Sequence, residues 1–425
     1  MSFVLKNGDV YLNGKIQKKD CLIDDFGRLV VADDIDLPDV DEVLDCSSTL
    51  ILPGLMDPHV HLREPGFEYK ATIASETQAM AKGGFTTVFS MPNLNPVPDT
   101  SEHLEVQMRA IDHHAKIQVI PYGSITKGEK GLELSDMEEL SEWTVGFSDD
   151  GKGVQSEEMM RQAMRKAYEL DRIIVAHCED ESLIEKGGCI HQGKKAEELG
   201  LVGISSESEW KQIERDLKLA EETGCQYHVC HISCKESVDL IREAKKRGVN
   251  VSCEVTVHHL LLNEEDIIED DGRFKMNPPL RTKEDQKALI EGLNDGTIDM
   301  ICTDHAPHSA EEKSRGLSKS AMGITSSEYA FALVYTGLVK TGKVKLKTVL
   351  DAMSYNCANV FGVEGGDLTN FEKANLTIFD LMHREKITEK SLLTQGKSTP
   401  FVNQYVHGIC LLTVCDGHIV YRRDI

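Results

Sequence analysis

Eight apolar, strand-like runs between residues 50 and 304, separated by stretches of helical period, leave this chain few folds to choose from. The runs lie at 50–56, 85–91, 117–122, 144–148, 173–177, 227–231, 249–255 and 298–304, each short and apolar in the manner of a buried strand. Helical patterns fill the gaps, at 102–114, 156–170, 207–223 and 235–247 among others. Strand and helix alternating eight times imply an α/β fold whose parallel strands close into a TIM-type (β/α)8 barrel. The barrel is expected to span 51–361, ending in a helix near 346–361.

The two chain ends read differently. Residues 1–50 alternate short apolar runs with the turns Asn7-Gly8, Asn13-Gly14 and Phe26-Gly27-Arg28, which is hairpin chemistry. Residues 362–425 return to the same style, with runs at 375–380 and 411–421. One small β domain built from both termini, 1–50 with 362–425, is the expectation.

In such barrels the site lies at the C-terminal ends of the strands, and polar residues gather there. The first run leads into His59-Val60-His61-Leu62-Arg63. Residues two apart in an extended chain share a face, so His59 and His61 point the same way, and Arg63 joins them if the extension continues. Asn93 follows the second strand and the pair Asp149-Asp150 the fourth. His177 ends the fifth, His231 the sixth, and Asp304 the eighth. Imidazole and carboxylate together suit zinc. Six donors (His59, His61, one of Asp149 and Asp150, His177, His231, Asp304) exceed what one catalytic zinc uses. Two ions about 3.5–4 Å apart would use them all, and would lower the pKa of water from about 15.7 to about 7. Asp304 is placed to take that proton and pass it to a leaving nitrogen. The chemistry this suits is hydrolysis of an amide or a related bond.

Composition narrows the partners. A formal net charge of -24 argues against nucleic acid, which needs a surplus of Lys and Arg, and against an anionic membrane surface. It leaves a small anionic substrate open, since one local Arg outweighs a distant acidic surface. No apolar run reaches the roughly 18 residues of a membrane span, and the N-terminus carries no signal-peptide core. The 12 Cys show no Cys-x-x-Cys pair, and most sit in apolar runs. A reducing cytoplasm is expected.

At this point a resemblance becomes visible. Its carriers are Asp57-Pro58-His59-Val60-His61-Leu62-Arg63-Glu64-Pro65-Gly66, Gly83-Gly84-Phe85-Thr86-Thr87, Met91-Pro92-Asn93, Phe147-Ser148-Asp149-Asp150-Gly151, Ala176-His177-Cys178-Glu179-Asp180, His228-Val229-Cys230-His231, Lys275-Met276-Asn277-Pro278-Pro279-Leu280-Arg281 and Thr303-Asp304-His305-Ala306-Pro307-His308. Together they resemble the amidohydrolase superfamily, and within it the dihydroorotases of the long bacterial type, over nearly the whole chain. The resemblance implies one zinc ion on His59, His61 and Asp304 and a second on His177 and His231, with Asp150 as the bridging acid. It also implies that His61, Arg63, Asn93, Asn277 and His308 hold the substrate, with backbone help at Met322 and Gly323. The reaction implied is reversible closure of N-carbamoyl-aspartate to dihydroorotate in pyrimidine synthesis, in a homo-oligomer, with aspartate transcarbamoylase as a candidate partner. Val257 and Ala321-Met322-Gly323 depart from the family pattern, so the loop 309–322 is the segment it describes least.

Other polar residues have plainer readings. His258 and His259 are adjacent, so one is expected to face inward and packing is favoured. His305 is a partner of Asp304 or a loop residue. Glu179-Asp180 orients His177 or caps the next helix. Cys178 and Cys230 read as packing. Two rival functions stand beside the main one. A dihydropyrimidinase, hydantoinase or allantoinase is disfavoured by Arg63, because a neutral ring has no carboxylate to pair with it. A non-catalytic scaffold for aspartate transcarbamoylase is disfavoured because every metal histidine is present.

Overall fold

Both chain ends fold into one sheet. The computed structural model describes residues 2–36 and 39–423. Strand β1 (Phe3–Leu12) turns at Asn13 and Gly14, both at positive φ, into β2 (Lys15–Ile23). That is the backbone an Asn-Gly hairpin provides. β3 (Leu29–Ala32) adds to β2, while β4 (Glu42–Asp45) and β5 (Leu50–Pro53) both pair parallel to β1.

The apolar run 50–56 is divided, contrary to the single strand expected. Leu50–Pro53 belongs to the terminal sheet, and β6 (Leu55–Val60) begins a different one. Gly54 makes the crossing: a Cβ there would lie 2.0 Å from Thr86 Oγ1, so only glycine lets the two strands pass.

From β6 on, the strands are parallel. β7 (Phe85–Ser90) and β8 (Gln118–Pro121) continue from β6. β9 (Gly123–Ser124), β10 (Gly146–Ser148) and β11 (Ile173–Ala176) come next. A small excursion holds the two-residue strands β12 (Ile190–His191) and β13 (Gly203–Ile204). β14 (Tyr227–Val229), β15 (Val251–Thr256) and β16 (Met300–Cys302) complete the series. Pairing runs β6-β7-β8 in one ladder and β9-β10-β11-β14-β15-β16 in another. β8 and β9 adjoin, parted by Tyr122 alone. At the other margin Val60 pairs parallel with His305, and the His61 amide donates to the His305 carbonyl at 2.9 Å. Asp57 reinforces that seam by accepting from the amide of Thr303 at 3.2 Å and its hydroxyl at 2.5 Å.

The chain returns to the terminal sheet with β17 (Leu376–Lys386), β18 (Tyr405–Cys415) and β19 (His418–Arg422). β17 pairs with β5, and the eight strands order as β19-β18-β17-β5-β1-β2-β3, with β4 on β1. Phe3, Leu5, Ile23, Leu376 and Val414 fill this sheet's own core. The helix expected near 346–361 is two, Leu346–Ala352 and Tyr355–Phe361, broken at Ser354 where φ is −151° and ψ −81°. The second of them packs Cys357, Ala358 and Phe361 against Met56, Phe89, Tyr122, Val175 and Met300. Phe361 reaches His228 with ring centroids 5.4 Å apart, and so backs the polar site. Among the described residues no helix is long and apolar enough to cross a membrane, and all twelve cysteines are free and buried.

Candidate active site

Apart from the small β12–β13 pair, the strands from β6 to β16 are linked by parallel pairings, so the residues at their ends meet on one side. His59 lies within β6 and His61 just beyond it. Their Nε2 atoms are 3.5 and 3.1 Å from Asp304 Oδ1, which follows β16. Asp150, after β10, lies among the imidazoles. Its Oδ1 is 3.4 Å from His59 Nε2 and 3.8 Å from both His177 Nδ1 and His231 Nε2, and its Oδ2 is 3.5 Å from His61 Nε2. His177 Nδ1 and His231 Nε2 are 3.0 Å apart. All six side chains are buried. His59, Asp150 and His231, and separately His59, His61 and Asp304, are close enough to grip one ion.

The neighbouring Asp149 is taken up elsewhere. It accepts from the amides of Ile125 and Thr126, at 2.8 and 3.0 Å, and from the Thr126 hydroxyl. The adjacent pair thus divides, one carboxylate fastening a loop and the other facing the imidazoles.

Three of the four imidazoles are held through a second nitrogen, which sets the tautomer and leaves the lone pair for the site, while His231 Nδ1 is buried without a hydrogen-bond partner. His59 Nδ1 donates to Glu254 at 2.6 Å and His61 Nδ1 to Asn93 Oδ1 at 3.0 Å. His177 Nε2 faces Glu179 at 3.5 Å, and Asn277 donates to both oxygens of that carboxylate. Glu179 therefore takes the orienting role, while Asp180 caps the short helical turn after it through the Ser182 amide.

Glu254 was not singled out from the sequence. It is a fully buried carboxylate in β15, within an otherwise uncharged strand, and it also faces His228 Nε2 at 3.3 Å. That isolation was the available signal, since a buried charge needs partners. Cys230, read as packing, has its sulfur grouped with His59 and Glu254 closely enough for a third candidate donor set. Cys178, by contrast, packs against Tyr227 OH at 3.1 Å. His258 and His259 are both buried, contrary to the one-in expectation, because the short helix Val257–Leu261 is itself enclosed. His305 turns from Asp304 and bonds Glu76 at 2.6 Å.

Electrostatically the site asks for cations. Burial opposes charge on His59, yet Asp150 and Glu254 outweigh it and hold its pKa well above the ordinary value. Burial also disfavours the Asp150 carboxylate, but His59, His231 and His61 hold it well below the usual range. Asp304 behaves alike: burial pushes up, His61 and His59 pull down, and it settles at about 2. His61 goes the other way, lowered by burial, with Arg63 adding to the effect.

Arg63 enters this cavity by a different route from the one its spacing implied. The strand ends at Val60, and Arg63 sits at φ 66° in the left-handed region. A turn, not extended parity, brings it to the site. His231 and Asp304 also have positive φ, 30° and 44°. Such backbone costs about 1–3 kcal/mol per residue and gathers at functional sites. Arg63 donates Nε–H to the Pro307 carbonyl at 3.1 Å and lies 3.3 Å from His308 Nε2. Among the described residues no carboxylate comes within 4.0 Å of it, although it is only 8% exposed. Burial holds its pKa down to about 10, still charged at neutral pH. His308 bonds the Met322 carbonyl at 2.7 Å, and burial beside Arg63 and Lys70 keeps it neutral, its pKa lowered to about 3.

The cavity, about 290 Å³, is lined by His61, Arg63, Asn93, Asp150, His177, His231, Asn277, Asp304, His308, Met322 and Gly323, and His59 Nε2 lies 3.4 and 3.5 Å from Asp150 and Asp304 of that lining. The structure thus brings all the expected residues to one place. Two backbone groups expected to help are already engaged: Gly323 N–H donates to the Lys275 carbonyl at 3.1 Å, and the Met322 carbonyl accepts from His308. Gly323 instead leaves room, since a Cβ there would lie 2.7 Å from that of Ala306.

Comparison with known proteins bears on this cavity. The family model Dihydro-orotase-like matches residues 48–237. A dihydroorotase of Fusobacterium nucleatum subsp. nucleatum is 49% identical over 418 residues, covering 98% of each chain. One of Bacillus cereus is 49% identical over 427 residues, covering 100% of this chain and 99% of its own. Among solved structures, the L-hydantoinase (dihydropyrimidinase) of Arthrobacter aurescens superposes with a TM-score of 0.89 at 23% identity, covering 100% of this chain and 96% of its own. The dihydropyrimidinase of Brevibacillus agri NCHU1002 gives 0.87 at 22%, covering 99% and 95%. At that identity the structural likeness speaks for the mixed α/β fold alone.

Proposed function

Because the chain belongs to the dihydroorotase family, we infer that its reaction is the reversible closure of N-carbamoyl-L-aspartate to (S)-dihydroorotate with loss of water, in pyrimidine synthesis. We read the parallel strands, joined at β8/β9 and at Val60/His305, as a closed (β/α)8 barrel beside a β domain made of both termini, with the division after Pro53. The cavity stands at the C-terminal end of that barrel, where such folds hold their chemistry.

The donors fit a pair of zinc ions. His59 Nε2 and Asp150 Oδ1 are buried without a hydrogen-bond partner, which is costly unless something else satisfies them. We assign His59, His61 and Asp304 to one ion and His177 and His231 to the other, with Asp150 shared. When bound, zinc supplies Lewis acidity, polarising a carbonyl oxygen and acidifying water from a pKa of about 15.7 to about 7. Glu254 keeps His59 in the binding tautomer. Glu254→Gln is expected to weaken zinc affinity about 10- to 100-fold, read by chelator competition; unchanged affinity would remove Glu254 from that role.

The remaining steps belong to side chains. In the hydrolytic direction water adds to the ring carbonyl carbon and the C–N bond breaks. Asp304 takes the proton from that water and passes it to the leaving nitrogen; the reverse sequence closes the ring. Its Oδ1 is the oxygen turned toward the His59 and His61 nitrogens that would share a zinc ion with it, which leaves Oδ2 to carry the proton. Arg63 pairs with the ring carboxylate through two parallel hydrogen bonds, and Asn93, Asn277 and His308 complete the pocket.

One observation carries the reading beyond the family. A buried guanidinium, with no carboxylate within reach among the described residues, faces the same cavity as His61, Asp150, His177, His231 and Asp304. Uncompensated buried charge costs several kcal/mol, and an anionic ring substituent relieves it. The test is ultraviolet loss of dihydroorotate on ring opening, with dihydrouracil and hydantoin as neutral controls, before and after chelator treatment. Dihydroorotate should be opened far faster than either, and the rate should vanish with the metal. Equal rates on the neutral rings would replace this reading with a broader cyclic amidohydrolase.

A further inference from the structure

Lys313 closes the short helix Ala310–Lys313, inside the loop that the family pattern describes least. Its side chain turns inward and is only 7% exposed. The ammonium donates to three backbone carbonyls: Gly323 at 2.7 Å, Ala321 at 2.8 Å and Lys275 at 3.0 Å. Among the described residues no carboxylate lies within 4.0 Å of it; its neighbour Glu312 turns instead to Lys70, 3.1 Å away. A buried ammonium is costly to desolvate, so the three carbonyls must be held where they can repay that cost together.

Those carbonyls belong to two separate walls of the cavity. Lys275 begins the segment that delivers Asn277. Ala321 and Gly323 flank Met322, whose carbonyl fixes His308. The Lys275 carbonyl also accepts from Gly323 N–H, so one oxygen ties the walls twice. Two other bonds cross the same gap, Lys275 Nζ to the Ser318 carbonyl at 3.2 Å and Leu317 N–H to Asp270 Oδ1 at 2.5 Å, but neither reaches 321–323, where Ala321 N–H donates back to the Glu312 carbonyl of its own loop at 3.0 Å. Resting on the assignment of this cavity to dihydroorotate, we propose that Lys313 is a positioning residue: its ammonium locks the 309–323 loop onto the 272–277 segment, and so sets the substrate pocket that Asn277 and His308 line.

Burial works against the charge of this lock. The titratable groups around it are Lys275 and Glu312 on the joined segments and Asp271 at the start of the facing one. Burial, with Lys275 adding to it, holds the Lys313 pKa down to about 7. Opening the loop would return the amine to water and to its ordinary, higher pKa, so protonation favours opening and the closed loop gains on the open one as pH rises past that value.

The experiment replaces the ammonium in the intact enzyme. Lys313→Met is expected to raise the KM for dihydroorotate at least tenfold while kcat stays within about threefold and zinc content is unchanged. Trypsin should cut faster after Arg315 and Lys319, both exposed in this loop. Lys313→Gln, which keeps two N–H donors without charge, should fall between. Amide exchange at 321–323 should be slow in the wild type and faster in Lys313→Met. Equal losses in kcat and KM, loss of zinc, unchanged tryptic sensitivity, or exchange at 321–323 as fast as in an open chain would each overturn the proposal. Proteolysis and exchange need no substrate. A wild type inactive on dihydroorotate would therefore sink the functional reading and leave these two measurements to judge Lys313.

Discussion

Arg63→Met is expected to lower kcat/KM for dihydroorotate by about 10²-fold or more and to leave zinc content unchanged. Removing one partner of a buried charge pair costs about 2–5 kcal/mol, much of it from the charge left behind, and each 1.4 kcal/mol is about tenfold. Here the charge left behind is the ring carboxylate, over a floor of Asp150 and Asp304. Arg63 donates to no metal ligand; its contacts are the Pro307 carbonyl and His308. The apo enzyme should keep its thermal stability, since methionine replaces a guanidinium that has no carboxylate partner before substrate arrives. Loss of zinc, or a kcat/KM within threefold of wild type, would show that Arg63 serves the fold and not the carboxylate. The rate on dihydrouracil, which has no carboxylate to lose, should change little from its low value.

Asp304→Asn is expected to lower kcat at least about 10²-fold, the lower end for general acid–base catalysis. Asparagine keeps the shape and tolerates the left-handed backbone at this position, where φ is 44°, so the turn after β16 should survive. It cannot take a proton. Asp304 is ready for that task at neutral pH, because His61 and His59 hold its pKa at about 2 against the effect of burial. Asp304 is also assigned as a zinc ligand, so the assay belongs at saturating zinc with metal content measured alongside. A deficit that disappears with added zinc would make Asp304 a ligand only; a deficit that remains assigns it the proton.

How much of this was legible before the fold was known depends on the range of the interaction. Period-two and period-3.6 patterns are local, and the strands at 85–90, 118–121, 173–176 and 251–256 fall where the apolar runs lie. The histidines and Asp304 were legible because they sit at or just beyond the C-terminal ends of barrel strands, and one-directional strands end on one side. Asp149 and Asp150, adjacent and chemically alike, were not separable by pattern, and Asp150 was expected only through the family resemblance. Only Thr126 and Ile125, delivered by the preceding strand, take up one and leave the other to the imidazoles.

Local pattern failed where the backbone leaves regular geometry. The run 50–56 has no polar break, yet Gly54 passes Thr86 at a distance no side chain allows, and the run splits between two sheets. Arg63 was expected on the histidine face by parity along an extended strand; it reaches the cavity through a left-handed turn instead.

By itself, then, the sequence determined the kinds of groups at the site, the strand that carries each, and the rhythm that turns all of them to one side. Spacing and hydrophobic period are properties of neighbours in the chain. Which carboxylate faces the imidazoles, that Glu254 holds His59 from 195 residues away, and that Lys313 joins two walls were decided only in three dimensions. Each depends on the distance and direction of groups far apart in the chain, which no local pattern encodes.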